Sequence, residues 1–482
     1  MSIYLKHYWT LYKEFIDIFQ HLTYHNIPIA LLTNFYQQID DKLKRQMENE
    51  QFQSELTIPL LEQNQIQPYF DHWMDKIKKN DDIKKEHAGK ILVHYNYSRI
   101  SEWTYRTLFD PAKTIIVARS RQSHLFGIPC ESMDNYQKDL SEISDELVKN
   151  ARQLFQKYSD HPAYGNEFFQ STFLNRIPQI VTAIHSSFQL LKKHSISFII
   201  LGTTEDVISR ALAIVGAAKG IQSICLQHGI LMGEEAFMPV FTTKVGVYGE
   251  YEKHWYIQRG VKEDCIAPIG HPKYDDIFRY TSKNKADFLR KLGLDPRKTE
   301  FIKKFGLDQK KITLLVITST SIDNKRFKKL IENLATDPKF QIIIKPHPWE
   351  IGKNKLETYL ELEKRFPTVK TYTAKGNILF EMLSHVDGVV STMSTVVTES
   401  LLFQQPVFIY NFMISNRTYD YYDQLGEFVQ TDPDQLYQLI REYYQSKKKR
   451  DTYRQIRHQY LSTTYNDGTS GKKLMDLINR LT

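Results

Sequence analysis

The chain has 482 residues, 41% hydrophobic and 25% charged, with 29 Tyr and 27 Phe; this is a globular composition that excludes long disordered tracts and, at this length, one ordinary core. The formal charge of +8 is compatible with an anionic ligand or an acidic surface and identifies neither. Cys130, Cys225 and Cys265 are too few and too scattered for a disulfide framework, which points to a reducing compartment.

The N-terminus lacks the apolar core of a signal peptide. No run reaches the roughly 18 uninterrupted apolar residues of a spanning helix. A cytoplasmic protein is expected, meeting a membrane only peripherally, from its inner face.

In chain order, residues 3–24 read as an aromatic-rich helix, Ile27 to Leu32 is a short apolar run, and 35–85 is Gln-, Lys- and Asp-rich and helical. A helical N-terminal segment, 1–89, is expected to pack on the following domain, with its aromatics available to a membrane or partner. From Lys90, β-branched runs at 90–95, 113–118, 196–201, 223–227 and 244–248 alternate with helix-length segments. After a polar, basic stretch at 281–311 the pattern restarts, at 312–318, 340–346, 386–391 and 406–410, and 433–460 is helical and basic. Such alternation predicts βαβ units. The fold class is therefore α/β: two Rossmann-like domains with parallel sheets, 90–280 and 285–482, joined near 275–290 and facing a cleft at the carboxyl ends of the strands.

The chemistry-bearing residues fall at strand ends. Thr203 and Asp206 resemble a capping box, with Gly220 as the stop of the helix between them. His228 and Gly229 follow the next strand; the histidine either caps a turn or faces a substrate. Gly270-His271-Pro272 precedes the junction, making His271 a secondary candidate. Lys345 and His347 sit in Lys-Pro-His-Pro, where each proline fixes its own φ and stiffens the loop; one ammonium and one imidazole there suit a phosphate. Ser391, Thr392, Ser394 and Thr395 cluster at a helix start, whose free N–H groups and partial positive charge also favour phosphate. Glu399, one turn on, suits ribose hydroxyls. Asp434 reads as a helix cap. The Asp467–Lys473 stretch lacks the strand and spacing of a phosphate-binding loop. No spacing of Cys, His or carboxylates argues for a metal, and no cofactor beyond a nucleotide-activated substrate is called for. The basic run 447–457 is either a solvated helix face or a contact for anionic lipid or polymer.

The order of these motifs resembles the CDP-glycerol glycerophosphotransferases of teichoic-acid synthesis and the wider group of GT-B capsule and surface-polysaccharide transferases. The resembling series is His-Gly at 228–229, Gly-x-Pro-x-x-Asp at 270–275, Lys-x-His-Pro at 345–348, the hydroxyl-rich helix start, and Asp467-Gly468; it covers roughly 195–482. The resemblance implies that His228 is the base that activates an acceptor hydroxyl, that His347 contacts the donor phosphates, and that Ser394 and Thr395 belong to the same phosphate site. Glu399 and the Leu-Leu-Phe-Gln-Gln-Pro-Val that follows look closer to sugar-nucleotide glycosyltransferases. The expected activity is metal-independent transfer of a glycosyl or glycerophosphate-type group from a CDP-, CMP- or UDP-linked donor to a hydroxyl of a surface polysaccharide or lipid-linked acceptor, with no nucleic-acid partner. Two alternatives stay open: a UDP-N-acetylglucosamine 2-epimerase-like enzyme, and a non-catalytic polymer-binding subunit.

Overall fold

The computed structural model describes residues 1–78, 89–281, 296–320, 322–374, 378–414 and 419–482. The junction expected near 275–290 runs outside the described residues from position 282, as does the end of the 35–85 stretch from 79. Contacts divide the chain into two compact units, Met1–Lys273 with Thr469–Thr482, and Tyr274–Gly468.

The first unit opens with the helix Ile3–Phe19, shorter than the sequence reading. A hairpin of β1 (Thr23–Tyr24) and β2 (Ile27–Pro28) stops it; His25 and Asn26 take left-handed φ of 49° and 60°, the conformation that two-residue hairpins require. The helix aromatics are core: Tyr8, Trp9, Tyr12, Phe15 and Phe19 are each at most 2% exposed. They are therefore not available to a membrane or partner.

Behind this segment lies an eight-stranded sheet in the order β10-β9-β8-β7-β3-β4-β6-β5. Its strands are β3 (Lys90–His94), β4 (Thr114–Val117), β5 (His124–Leu125), β6 (Ile128–Glu131), β7 (Ile196–Leu201), β8 (Gln222–Leu226), β9 (Lys244–Gly246) and β10 (Ile266–Ala267). All pairings are parallel except the β5–β6 hairpin. Parallel strands are covered on both faces, which is why these runs are continuously apolar rather than alternating. The chain leaves β3 first toward β4 and β6 and later toward β7 and β8, so the order reverses between β3 and β7.

The second unit repeats the plan in one six-stranded parallel sheet, β13-β12-β11-β14-β15-β16. These are β11 (Ile312–Ile317), β12 (Phe340–Lys345), β13 (Val369–Thr371), β14 (Gly388–Ser391), β15 (Val407–Tyr410) and β16 (Val429–Gln430). In sequence order this is 3-2-1-4-5-6, the doubly wound pattern, whose ligand crevice opens at the carboxyl ends of its first and fourth strands, here β11 and β14.

Several local expectations need correction. The helix Val207–Ala218 is capped by Asp206, which accepts from the Ile208 and Ser209 amides; Thr203 instead accepts from the Glu205 amide at 3.0 Å. Gly220, at φ 70°, does end that helix. Likewise Asp432, not Asp434, caps the helix Pro433–Gln445, because proline fits the first helical position that follows a cap. The last helix, Ser470–Leu481, belongs to the first unit, where Leu474, Leu477 and Ile478 join a core with Val93, Phe198 and Ile224. The expected second domain ran to residue 482.

Candidate functional site

In the first unit, the switch point between β3 and β7 is held by a close backbone approach. A Cβ added to Gly202 would overlap the Tyr97–Ser98 peptide, so only glycine lets the two loops meet. Tyr97 and Arg99 themselves adopt left-handed φ of 58° and 50°, a costly conformation that clusters at functional loops.

His228 leaves β8 beside this junction. Its ring stacks on Phe237 at 5.0 Å and 15° and meets Tyr97 edge-on at 5.8 Å. Burial lowers its pKa to about 4, the Arg99 and Lys273 charges push the same way, and the Gly202 backbone, accepting from the ring, opposes them. The imidazole is therefore neutral at physiological pH, and the nitrogen opposite its protonated one carries a lone pair.

Around His228 lies a cavity of about 290 Å³, lined also by Asn34, Gln37, Tyr97, Arg176 and Thr203. Arg176 donates to the Asn34 carbonyl at 3.1 Å and to the Gln37 side chain, so the N-terminal segment supplies one wall. Gly229 has open space about its Cα, and its carbonyl accepts from the Gln227 side-chain Nε2–H at 2.7 Å.

His271 is fully buried. Its Nδ1 accepts from the Lys273 amide at 3.0 Å, and burial holds its pKa well below the ordinary value. It fixes the turn after Gly270 from inside the unit.

In the second unit, strand register brings the predicted residues together. Lys345 and Ser391 both pair with Ile317. Their backbones thus stand level across three strands, roughly 10 Å apart at ordinary strand spacing. Burial lowers the pKa of Lys345, opposed by the Glu399 carboxylate.

His347 caps the short helix Pro348–Gly352. Its Nδ1 accepts from the Trp349 amide at 3.2 Å, which leaves the proton of a neutral ring on Nε2. Its own amide donates to Thr318 Oγ1 at 3.0 Å and to Glu350 Oε2 at 2.9 Å. Glu350 also accepts from the Thr318 hydroxyl and, at 2.7 Å, from the Tyr359 hydroxyl. A buried carboxylate thus sets the loop. Sequence reading missed Glu350 and Thr318, although Glu three residues after a cap is a capping-box signal.

Ser394 caps the helix Thr395–Leu402 and accepts from the Val396 amide at 3.3 Å, while its carbonyl accepts from Tyr422. Glu399 is 7% exposed on the next turn. Lys345, His347, Ser394, Thr395 and Glu399 therefore share one edge of one sheet; His228, Gly229, Thr203 and His271 lie in the other unit.

On the basic helix Lys447–Ser462, Lys449, Arg450 and Arg457 are held half-buried against the fold, while Lys447, Lys448 and Arg454 are exposed. Lys449 pairs with Glu427 at 2.8 Å, Arg454 pairs with Asp451 at 2.6 Å, and Arg457 donates to the Leu401 carbonyl at 2.8 Å. Arg450 donates to the Tyr443 and Tyr444 carbonyls. Among the described residues no three His, Cys, Asp or Glu side chains group as a metal-binding set. No helix there is long and apolar enough to cross a membrane.

Residues 248–480 match the CDP-glycerol:poly(glycerophosphate) glycerophosphotransferase family model. The glycerophosphotransferase match contains all five strand-edge residues of the second unit and begins beyond His228. No curated protein matches the chain in sequence.

Among solved structures, UDP-GlcNAc 2-epimerase of Neisseria meningitidis bound to UDP-GlcNAc aligns with a TM-score of 0.53 at 11% identity, over 81% of this chain and 99% of that one. Staphylococcus aureus MnaA with UDP gives 0.51 at 12% over 80% and 94%, and Anabaena HepE with UDP-glucose gives 0.50 at 13% over 81% and 100%. At such identities the likeness establishes the fold, which is of the GT-B type.

Proposed function

We propose that the protein is a glycerophosphotransferase-like or glycosyl transferase that moves a group from a nucleotide-activated donor to an acceptor hydroxyl of a surface polymer or its lipid-linked precursor. The observation that carries this reading is the shared edge of β12, β11 and β14, where Lys345, His347 and the Ser394–Thr395 helix start converge within a segment that matches the glycerophosphotransferase model.

In the second unit the donor's phosphates would meet the Lys345 ammonium, the His347 Nε2–H and the helix N–H groups. These stabilise charge that builds on the leaving nucleotide. Glu399 opposes the effect of burial on the Lys345 ammonium and is assigned the ribose hydroxyls. In the first unit neutral His228 takes the acceptor's proton as the new bond to phosphorus or to the anomeric carbon forms and the bond to the nucleotide breaks. A base of this kind is worth about 10²–10⁴-fold. Peripheral membrane contact through the 447–457 helix would rest on the exposed Lys447, Lys448 and Arg454, since Lys449, Arg450 and Arg457 have partners elsewhere in the fold.

Purified protein incubated with CDP-, CMP-, UDP- and GDP-linked donors tests this. Nucleotide release that requires an acceptor and is lost in His228→Ala is the expected result. Conversion of UDP-N-acetylglucosamine without acceptor would replace transfer by 2-epimerase chemistry. Failure to bind any nucleotide would leave a polymer-binding role.

A further inference from the structure

The loop that follows His228, residues 229–241, is built around the short helical turn Glu234–Ala236 and carries Phe237, whose ring lies flat against the imidazole. It is tied down on both sides of that ring. Before it, the buried Glu234 carboxylate accepts from Trp9 Nε1 at 2.5 Å and from Arg259 Nε at 2.7 Å and Nη2 at 2.6 Å. The Glu234 carbonyl in turn accepts from the Phe237 and Met238 amides at 3.1 and 2.9 Å. After it, the buried Gln67 side chain takes both backbone groups of Val240, accepting from the amide at 2.9 Å and donating to the carbonyl at 2.8 Å. Phe241 then meets Phe70 edge-on at 5.9 Å.

Both anchors reach back to the N-terminal segment, Trp9 from the helix Ile3–Phe19 and Gln67 from the start of the helix Ile66–Lys78. Arg259 joins them into one piece. Its guanidinium lies over Trp255 at 3.6 Å and donates to the Trp255 carbonyl at 2.8 Å, while its own carbonyl accepts from the Gln67 amide at 3.0 Å. Burying an ion pair adds little net stability. Three directed, charge-assisted bonds on one carboxylate instead fix where the turn sits.

We infer that Glu234 and Gln67 are positioning residues, through which the N-terminal segment clamps Phe237 against His228 and sets the plane in which the imidazole meets an acceptor. This rests on the role of His228 as base proposed above. Phe237 covers one face of the ring, Tyr97 meets it edge-on, and the Gly202 carbonyl accepts from it. Loosening the clamp therefore admits water to the covered face and frees the ring to turn. The charged groups about it are Arg99 and Lys273, with Arg176, Glu205 and Asp206 in the wall of the same cavity and His271 as the neighbouring imidazole. Gln67→Leu and Phe237→Leu alter none of these charges, so lost burial alone sets the direction: protonation of His228 becomes easier.

The test follows the His228 Cε1–H signal by NMR from pH 7.5 to pH 5 in the full chain, assigned by its loss in His228→Gln, alongside acceptor-dependent nucleotide release. In the parent the signal should not titrate in that range. In Phe237→Leu, Gln67→Leu and Glu234→Gln a titration should enter it. A midpoint near about 5.5 would leave roughly a quarter of the rings neutral at pH 5, so turnover at pH 5 relative to pH 7 should fall about fourfold. Donor affinity by calorimetry should equal the parent value. Gln67→Leu leaves the buried ion pair intact and carries the test if Glu234→Gln does not fold. A lower melting temperature in Gln67→Leu with an unmoved His228 signal would make these bonds structural only and overturn the clamp. So would a signal that moves in Phe237→Leu and in neither anchor variant. The titration needs no substrate, so a signal that moves in all three variants of a protein that transfers nothing would retain the clamp and remove the transfer reading.

Discussion

With its pKa lowered to about 4, His228 is neutral over the whole range in which a transferase is assayed, and that fixes the sign of two pH effects. Turnover that needs the neutral ring should stay nearly flat from pH 7 to pH 5, whereas a base at the ordinary value of about 6.5 would lose about 25-fold over that interval. Single-turnover nucleotide release across that range decides between them. Stability follows by linkage. Between about 4 and 6.5 the unfolded chain binds more protons at this residue than the folded one, so acidification through that window costs the parent stability that His228→Gln does not lose. Urea midpoints at pH 7 and pH 5 should therefore shift in favour of the variant at the lower pH. Gly202 belongs to the same scale. Gly202→Ala should force the Tyr97–Ser98 loop away from β7, lowering the melting temperature and turnover together; unchanged values would show that this contact does not hold the histidine.

Among the elements, the His347–Glu350 turn is the most sensitive to a single atom. Glu350 accepts from the Thr318 hydroxyl, the His347 amide and the Tyr359 hydroxyl. Glu350→Gln replaces one acceptor oxygen by a donor facing donors. A loss of about 1–3 kcal/mol is expected, with donor affinity falling by isothermal titration more than turnover does; full affinity would mean that the loop does not need its buried carboxylate. The nine strand runs were legible because buried parallel strands are short, apolar and β-branched. The turn prolines and the helix-start hydroxyls were legible for equally local reasons. Glu350 was legible in principle, as the third residue after a cap. The Gly202 contact with Tyr97 was not, because it joins two strand ends far apart in sequence and no local pattern records which loops meet.

At the scale of the whole molecule, the last helix returns to the first unit. Its apolar stripe reads the same whichever unit it covers, so periodicity placed it in the wrong one. Leu474, Leu477 and Ile478 fill the core beside Val93 and Ile224; at about 1.5–3 kcal/mol for each buried side chain, their loss approaches the whole stability of a typical domain. Deleting 469–482 should therefore open the first unit to limited proteolysis while the second unit, Tyr274–Gly468, stays protected. Equal protection of both units would contradict the placement. The aromatic N-terminal helix likewise belongs to the core, and its Tyr12 stacks at 4.5 Å on Phe35 of the turn whose Asn34 and Gln37 line the cavity at His228. The central claim is that one unit binds a nucleotide donor and the other supplies the base. The most direct measurement pairs donor affinity with acceptor-dependent nucleotide release in His228→Ala and His347→Ala. The account predicts that His347→Ala weakens donor binding, whereas His228→Ala keeps the parent affinity and loses turnover by about 10²-fold or more. Parent turnover in His228→Ala would contradict it.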